Sequence, residues 1–135
     1  MKAVFDTNIL ISGVIRKGKP HKLLDHVVNK RLELVLSKEL LDEFIDVIKR
    51  DKLKLTAEQQ NQFIEYVTTL SSVVEVASKF DIVKEDPDDN IVLNVAHDGK
   101  ADFIVSGDPD LLNLKEFEGI GIVTASKMLE LLEGE

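Results

Sequence analysis

The chain has 135 residues, a length that suits one domain, and 44% of them are hydrophobic, enough for a core and too many for global disorder. It has no cysteine, which excludes disulfides and thiolate metal sites, and no apolar run approaches the roughly 20 residues that span a bilayer. The formal charge of −8 is the reverse of what a protein needs to coat nucleic acid through its phosphates. If nucleic acid is involved, the acids must have a task of their own, such as holding divalent cations, and the basic residues must act locally. Those fall in "RKGKPHK" (Arg16, Lys17, Lys19, Lys22) and "KRDKLK" (Lys49, Arg50, Lys52, Lys54). Asp6 interrupts the N-terminus before a signal-peptide core can form, so a soluble, cytoplasmic protein is expected.

Lys2 to Phe5 reads as a short buried strand that ends in Asp6-Thr7-Asn8. "NILISGVI" begins a helix, which Gly18-Lys19-Pro20 breaks. A second helix follows over "HKLLDHVVNK", with Leu23, Leu24, Val27 and Val28 at helical spacing. "LELVLS" is a strand, and Ser37 is placed to cap the helix "KELLDEFIDVIKR". Thr56 caps "TAEQQNQFIEYVTTL", and the β-branched run "SVVEVA" predicts a strand. In "DPDDNIVLNVAHDGK" the signals place Asp86 as N-cap, Pro87 as the first helical residue and Gly99 as the stop. "ADFIVSGD" is an apolar strand, "PDLLNL" a helical turn, "GIGIVTA" a last strand and "SKMLELLEGE" a closing helix. This alternation predicts a parallel sheet with helices on both faces, and no linker or repeat divides residues 1–135.

Open α/β sheets bind ligands outside the carboxyl ends of their strands. Asp6 ends the first strand, and Asp108 follows Phe103–Ser106 by two residues, so both belong to the same sheet edge. Asp89 precedes Val92, Leu93 and Ala96 by three, four and seven residues, which puts it on the apolar face of its helix at the first turn. Glu43, between Leu40 and Val47, borders the buried face of its own helix, whereas Asp42 and Asp46 point further out. Asp6, Glu43, Asp89 and Asp108 can thus converge on one cleft. Like charges raise one another's pKa, so four carboxylates need a cation, and hard oxygen ligands suit Mg²⁺ or Mn²⁺. Such ions activate water and clamp phosphoryl oxygens, which implies phosphodiester hydrolysis.

Taken singly, each acid has an ordinary explanation as a cap, a turn or a solvated charge. His21, His26 and His97 lack metal-ligand spacing and read as surface or core residues. The specific signal is the order and placement of the acids together.

The segments "VFDTNILISG", "LVLSKELLDEFIDVI", "DPDDNIVLNVA" and "ADFIVSGDPDLL", in this order, resemble the PIN-domain family of metal-dependent ribonucleases. The likeness runs essentially end to end, and is greatest to the toxin components of toxin–antitoxin pairs, the VapC-type toxins. The resemblance implies a single PIN domain over 1–135, a three-layer α/β/α sandwich with a central, mostly parallel twisted sheet. It implies Asp6, Glu43, Asp89 and Asp108 as catalytic, metal-binding acids for Mg²⁺ or Mn²⁺. Asp110 is a further acid nearby, a substitute ligand or one acting through a neighbour, and Asp88 competes with Asp89, which the helical face favours. Asn8 and Ser106 match supporting positions, Ser106 orienting the last acid by hydrogen bond. An RNA substrate, a cognate antitoxin protein and a homodimer are implied in the same way. Arg16, Lys17 and Lys19 are expected to guide the nucleic-acid backbone.

Three other readings compete. A haloacid-dehalogenase-type phosphatase typically needs a second aspartate two residues after the first, where this chain has Asn8. A phosphoryl-accepting receiver domain needs a lysine ending a late strand, whereas "GIGIV" runs into Thr124-Ala125-Ser126. A catalytically weak PIN-like module that binds RNA or a protein partner is the alternative of a different class. DNA is a candidate substrate beside RNA.

Overall fold

The structure, a computed structural model, describes residues 1–134. In chain order the elements are β1 (Lys2–Phe5), α1 (Thr7–Ile15), α2 (Lys19–Val28), β2 (Glu33–Ser37), α3 (Lys38–Ile48), α4 (Ala57–Leu70) and β3 (Ser71–Val74). There follow α5 (Asp89–Asp98), β4 (Phe103–Val105), α6 (Pro109–Leu112), β5 (Glu116–Phe117), β6 (Ile120–Val123) and α7 (Ala125–Glu133), with a 3-10 turn at Asp51–Leu53 between α3 and α4. The strands form one sheet in the order β3-β2-β1-β4-β6-β5, parallel throughout except at β5. This is the three-layer α/β/α arrangement that the alternation of elements predicts. No helix among the described residues is long and apolar enough to cross a membrane.

Ala3, Val4 and Phe5 are all fully buried, as a central strand covered on both faces requires. Helix α3 buries Leu40, Phe44 and Ile48, one turn apart, and its first turn is closed by the Leu40 N–H donating to Ser37 Oγ at 3.1 Å. Thr56 and Gln59 form a reciprocal capping box on α4, with bonds of 2.9 and 3.0 Å.

The structure departs from the sequence reading at several elements. Strand β3 stops at Val74, so the predicted strand "SVVEVA" is strand only in its first half. Helix α2 starts at Lys19 and takes Pro20 into its first turn, where the missing N–H costs nothing. Helix α5 starts at Asp89, not at Pro87. Asp86 instead heads a turn, accepting from the Asp88 N–H at its Oδ1 (3.2 Å) and from the Asp89 N–H at its carbonyl (3.0 Å). Lastly, β5 pairs antiparallel with β6 across Glu118 and Gly119, both at positive φ (49° and 80°), a two-residue hairpin turn. The last strand then ends at Val123, because Thr124 caps α7.

Helix α5 crosses the sheet over β1, β2 and β4, and its end comes very close to β2. A Cβ on Gly99 would lie 2.6 Å from Val35 Cγ1 and 2.9 Å from the Val95 carbonyl oxygen. Gly99→Ala is therefore expected to destabilise the fold by about 1–3 kcal/mol, read as a lower urea midpoint with an unchanged slope.

From β1 the chain winds outward through β2 to β3, then returns to the other side of β1 with β4. The carboxyl ends of β1 and β4 thus flank the switch point of the sheet, where a crevice opens.

Candidate metal centre

Asp6 leaves β1 at this switch point and caps α1, its Oδ1 accepting from the Ile9 N–H at 2.9 Å. Its Oδ2 accepts from the Ser106 hydroxyl, directly beyond β4. Ser106 is fully buried, and its oxygen also accepts from the Asp108 N–H at 2.9 Å. One hydroxyl therefore ties the ends of both central strands together. It orients the carboxylate of Asp6 and the backbone of Asp108, rather than the Asp108 carboxylate. Asp108 caps the short helix α6 through the Asp110 N–H at 2.9 Å.

Asp89 opens α5 and is 7% exposed, yet its Oδ2 is buried without a hydrogen-bond partner. One carboxylate oxygen each from Asp86, Asp89 and Asp108 lies within 4.8 Å of the others. Glu43, half-buried on α3, accepts from the Thr7 hydroxyl at the start of α1. It feels the charges of Asp88, Asp86 and Asp6.

Every resolved shift among these acids is upward. Burial comes first for Asp6, then the Asp108 charge; Ser106 and the Ile9 and Asn8 N–H groups pull the other way. Burial also leads for Glu43, opposed by the Thr7 hydroxyl. Asp89 is pushed up to about 8 by burial and by the facing Asp108, with Asp86 and Asp6 adding to it. Two ionised carboxylates are acceptors only, so Asp89 and Asp108 cannot satisfy one another unless one holds a proton. None of the ion pairs among the described residues involves these acids. The site fits a hard divalent cation, which would supply the missing positive charge: the donors are all carboxylate oxygens, and the orphaned Asp89 Oδ2 needs a partner.

Of the sequence-predicted residues, Asp89 and Asp108 lie in the three-oxygen cluster, with Asp6 and Glu43 in electrostatic reach of it. Asp110 sits beside Asp108, its carboxyl raised by burial and then by Asp108, Glu85 and Asp86. Asn8 is exposed, and its contribution to Asp6 comes from its backbone N–H. Asp88 is exposed and makes no side-chain cap bond. Arg16 and Lys17 are exposed beyond the far end of α1, about 15 Å from Asp6 along the helix. Lys19 donates to the Ser126 hydroxyl. The structure does not bring these three to the acids. Asp86 is the residue the sequence reading gave only a cap role. Its spacing from Asp89, i to i+3, was the available signal.

The family model described as PIN domain matches residues 2–110, from β1 through Asp110. The chain belongs to the PIN-domain family. Membership places it in a family of nucleases. The uncharacterized protein MJ1680 of Methanocaldococcus jannaschii is 32% identical to this PIN domain over 120 residues, 86% of this chain and 76% of that protein. Among solved structures, PAE2754 from Pyrobaculum aerophilum superposes with a TM-score of 0.66 at 16% identity, covering 100% of this chain and 91% of that one. A chain in the structure of VapBC2 from Rickettsia felis, bound to a DNA fragment from their promoter, gives 0.62 at 13% identity, covering 92% and 98%. At these identities the structural likeness concerns the PIN fold.

Proposed function

We propose that this protein is a single PIN domain over 1–135 that hydrolyses RNA phosphodiester bonds as a metal-dependent endoribonuclease. The observation that carries the reading is the cluster of carboxylates at the switch point of the sheet, in which Asp89 is buried with its Oδ2 unpartnered. Asp6, Glu43, Asp89 and Asp108 would hold Mg²⁺ or Mn²⁺, with Asp110 beside them. When bound, such an ion polarises a phosphoryl oxygen and activates water at neutral pH. The chain's own residues do the positioning. Ser106 and the first turn of α1 fix both oxygens of Asp6, and Thr7 holds Glu43. The Ser106 hydroxyl is engaged on both sides, so the acids, not a side-chain nucleophile, define the chemistry. Unneutralised, the cluster repels a phosphate backbone, so substrate binding itself depends on the ion.

The likeness to a chain of a VapBC assembly is what favours a toxin role with a cognate antitoxin protein as partner; a homodimeric state and a cytoplasmic location belong to the same proposal. The test is to offer purified protein single-stranded RNA and DNA of the same sequence with Mn²⁺ or Mg²⁺. Cutting of RNA in preference to DNA supports the reading. Mn²⁺ binding without any cleavage would favour a module that binds RNA or a protein partner.

Arg16 and Lys17 remain the proposed guides for the RNA backbone, with Lys19 beside them. Replacing Arg16 and Lys17 by glutamate is expected to weaken RNA binding about tenfold and lower the salt slope by about 1.4, while Mn²⁺ affinity is unchanged. Equal RNA affinity in a filter-binding assay would remove them from the substrate path.

A further inference from the structure

The 14 residues between β3 and α5 form no regular element, yet they are not loose. Three polar side chains, Asn90, Asn94 and Asp98, stand at i, i+4 and i+8 on one face of α5. Each grips the backbone of this segment in turn. Asp98 Oδ2 accepts from the Ala77 and Ser78 N–H groups (2.6 and 2.8 Å), and Oδ1 accepts from the Ser78 hydroxyl. Asn94 pairs with both backbone groups of Phe80, at 2.7 and 3.2 Å. Asn90 accepts from the Ile82 and Val83 N–H groups (2.8 and 2.9 Å) and donates to the Val83 carbonyl at 2.8 Å. The segment thus runs antiparallel to α5 as a strap. Between the polar rungs, Phe80 sets its ring edge-on to His97 and to Phe117, each at 4.9 Å, and Val83 is buried.

Three residues beyond Val83 the strap delivers Asp86, whose oxygen joins those of Asp89 and Asp108. A strand or helix carries or adjoins every other acid of the cleft, whereas Asp86 is held from two sides, by its turn onto the start of α5 (Asp89 N–H to its carbonyl, 3.0 Å) and by the strap that leads into it. We propose that Asn90, Asn94 and Asp98 are positioning residues that set Asp86 in the acid cluster as an additional cation ligand. This rests on the metal-site reading above. The independent pointer to a ligand is Asp89, a member of the same cluster, more than nine-tenths buried and with its Oδ2 lacking any hydrogen-bond partner. The ladder is disproportionate for merely tidying a surface segment: a side-chain amide fully paired with backbone gives a single register, and that register fixes the course of the chain into the Asp86 turn.

The test is Mn²⁺ titration by calorimetry and RNA cleavage, on proteins shown by circular dichroism to be fully folded at the working temperature. Asp86→Asn, Asn94→Ala and Asp98→Ala are each expected to weaken Mn²⁺ binding about tenfold or more, with cleavage falling in parallel. Asp98→Asn, which keeps a carbonyl acceptor for the Ala77 and Ser78 N–H groups, is expected to stay within about threefold of wild type. The deciding variant is Asp86→Asn with Asn94→Ala. Because Asn94 acts through Asp86, the double variant should bind Mn²⁺ no more weakly than Asp86→Asn alone. Wild-type affinity in Asp86→Asn, or losses that multiply in the double variant, would overturn the proposal while leaving the metal site standing. A wild-type protein that binds no Mn²⁺ would overturn both. Asn94 and Asp98 lie five and nine residues along α5 from Asp89, so an effect on the ion cannot come from direct contact. If Asn94→Ala does not fold, Asp98→Ala carries the same cycle.

Discussion

Asp6→Asn and Asp89→Asn are each expected to lower Mn²⁺-dependent RNA cleavage at least about 100-fold, or about 2.7 kcal/mol of barrier. Both replacements keep shape and remove charge. At position 6 the amide oxygen can still accept the Ile9 N–H, so the cap of α1 survives. What is lost is the second acceptor oxygen, to which the Ser106 hydroxyl now donates, and one negative charge in the cation's surroundings. At position 89 the loss is larger, because the orphaned Oδ2 is the atom that most needs a cation. Changes to groups that merely orient ligands typically cost 10–100-fold in affinity or activity, so removing a ligand charge should cost more. Single-turnover cleavage of a labelled single-stranded RNA measures this. Activity within threefold of wild type in either variant would show that the acid is structural.

Asp89→Asn should also stabilise the cation-free protein while it destroys the site. A carboxyl whose pKa is raised on folding holds its proton more tightly in the folded chain. Stability is therefore greatest below the unfolded value of 3.8, falls as the pH rises through the window up to about 8, and is level beyond it. Asp6, Glu43 and Asp110 shift in the same direction, while Asp98 opposes them, its carboxyl lowered by the Ser78 hydroxyl and the Ser78 and Ala77 N–H groups. Comparing wild type with Asp89→Asn isolates the one group. The variant should be more stable at pH 8 by at least about 1 kcal/mol, several degrees in Tm, and the gap should close toward pH 4. Mn²⁺ at about 100 times its Kd should raise the wild-type Tm by roughly 10 °C and leave the variant unmoved. A wild type whose Tm ignores Mn²⁺ while the variant's Tm is unchanged at pH 8 would show that the repulsion in the cluster is already relieved by other means. A stability cost concentrated in functional groups is the common pattern of active sites.

The parallel sheet was legible because its strands are continuous apolar runs, Ala3-Val4-Phe5 and Phe103-Ile104-Val105, separated by capped helices. Ser37 and Thr56 announce α3 and α4 because cap chemistry is local, and the structure bears both out. The placement of Asp6 and Asp108 at one edge followed from strand direction alone. Other features depended on contacts between distant segments. Whether Asp86 caps a helix or heads a turn depends on the strap, and so on Asn90, Asn94 and Asp98, whose grips on segment 77–83 form only after folding. Strand β5 is two residues long and is stabilised by its partner β6, so periodicity does not detect it. The Ser106 bond to Asp108, two residues on, was legible, and it forms through the Asp108 N–H; the bond from its hydroxyl to Asp6, 100 residues away, was not, because only the folded sheet brings the two together. The "RKGKPHK" stretch follows the first motif closely in sequence, yet a helix intervenes and sets it apart from the acids.

The most direct measurement is cleavage of single-stranded RNA by the purified protein after treatment with chelator and again after Mn²⁺ is restored. A metal-dependent ribonuclease loses its activity on chelation, regains it with Mn²⁺, and shows neither response as Asp89→Asn. Cleavage that persists in chelator, or none under any condition with no heat of Mn²⁺ binding, would contradict it.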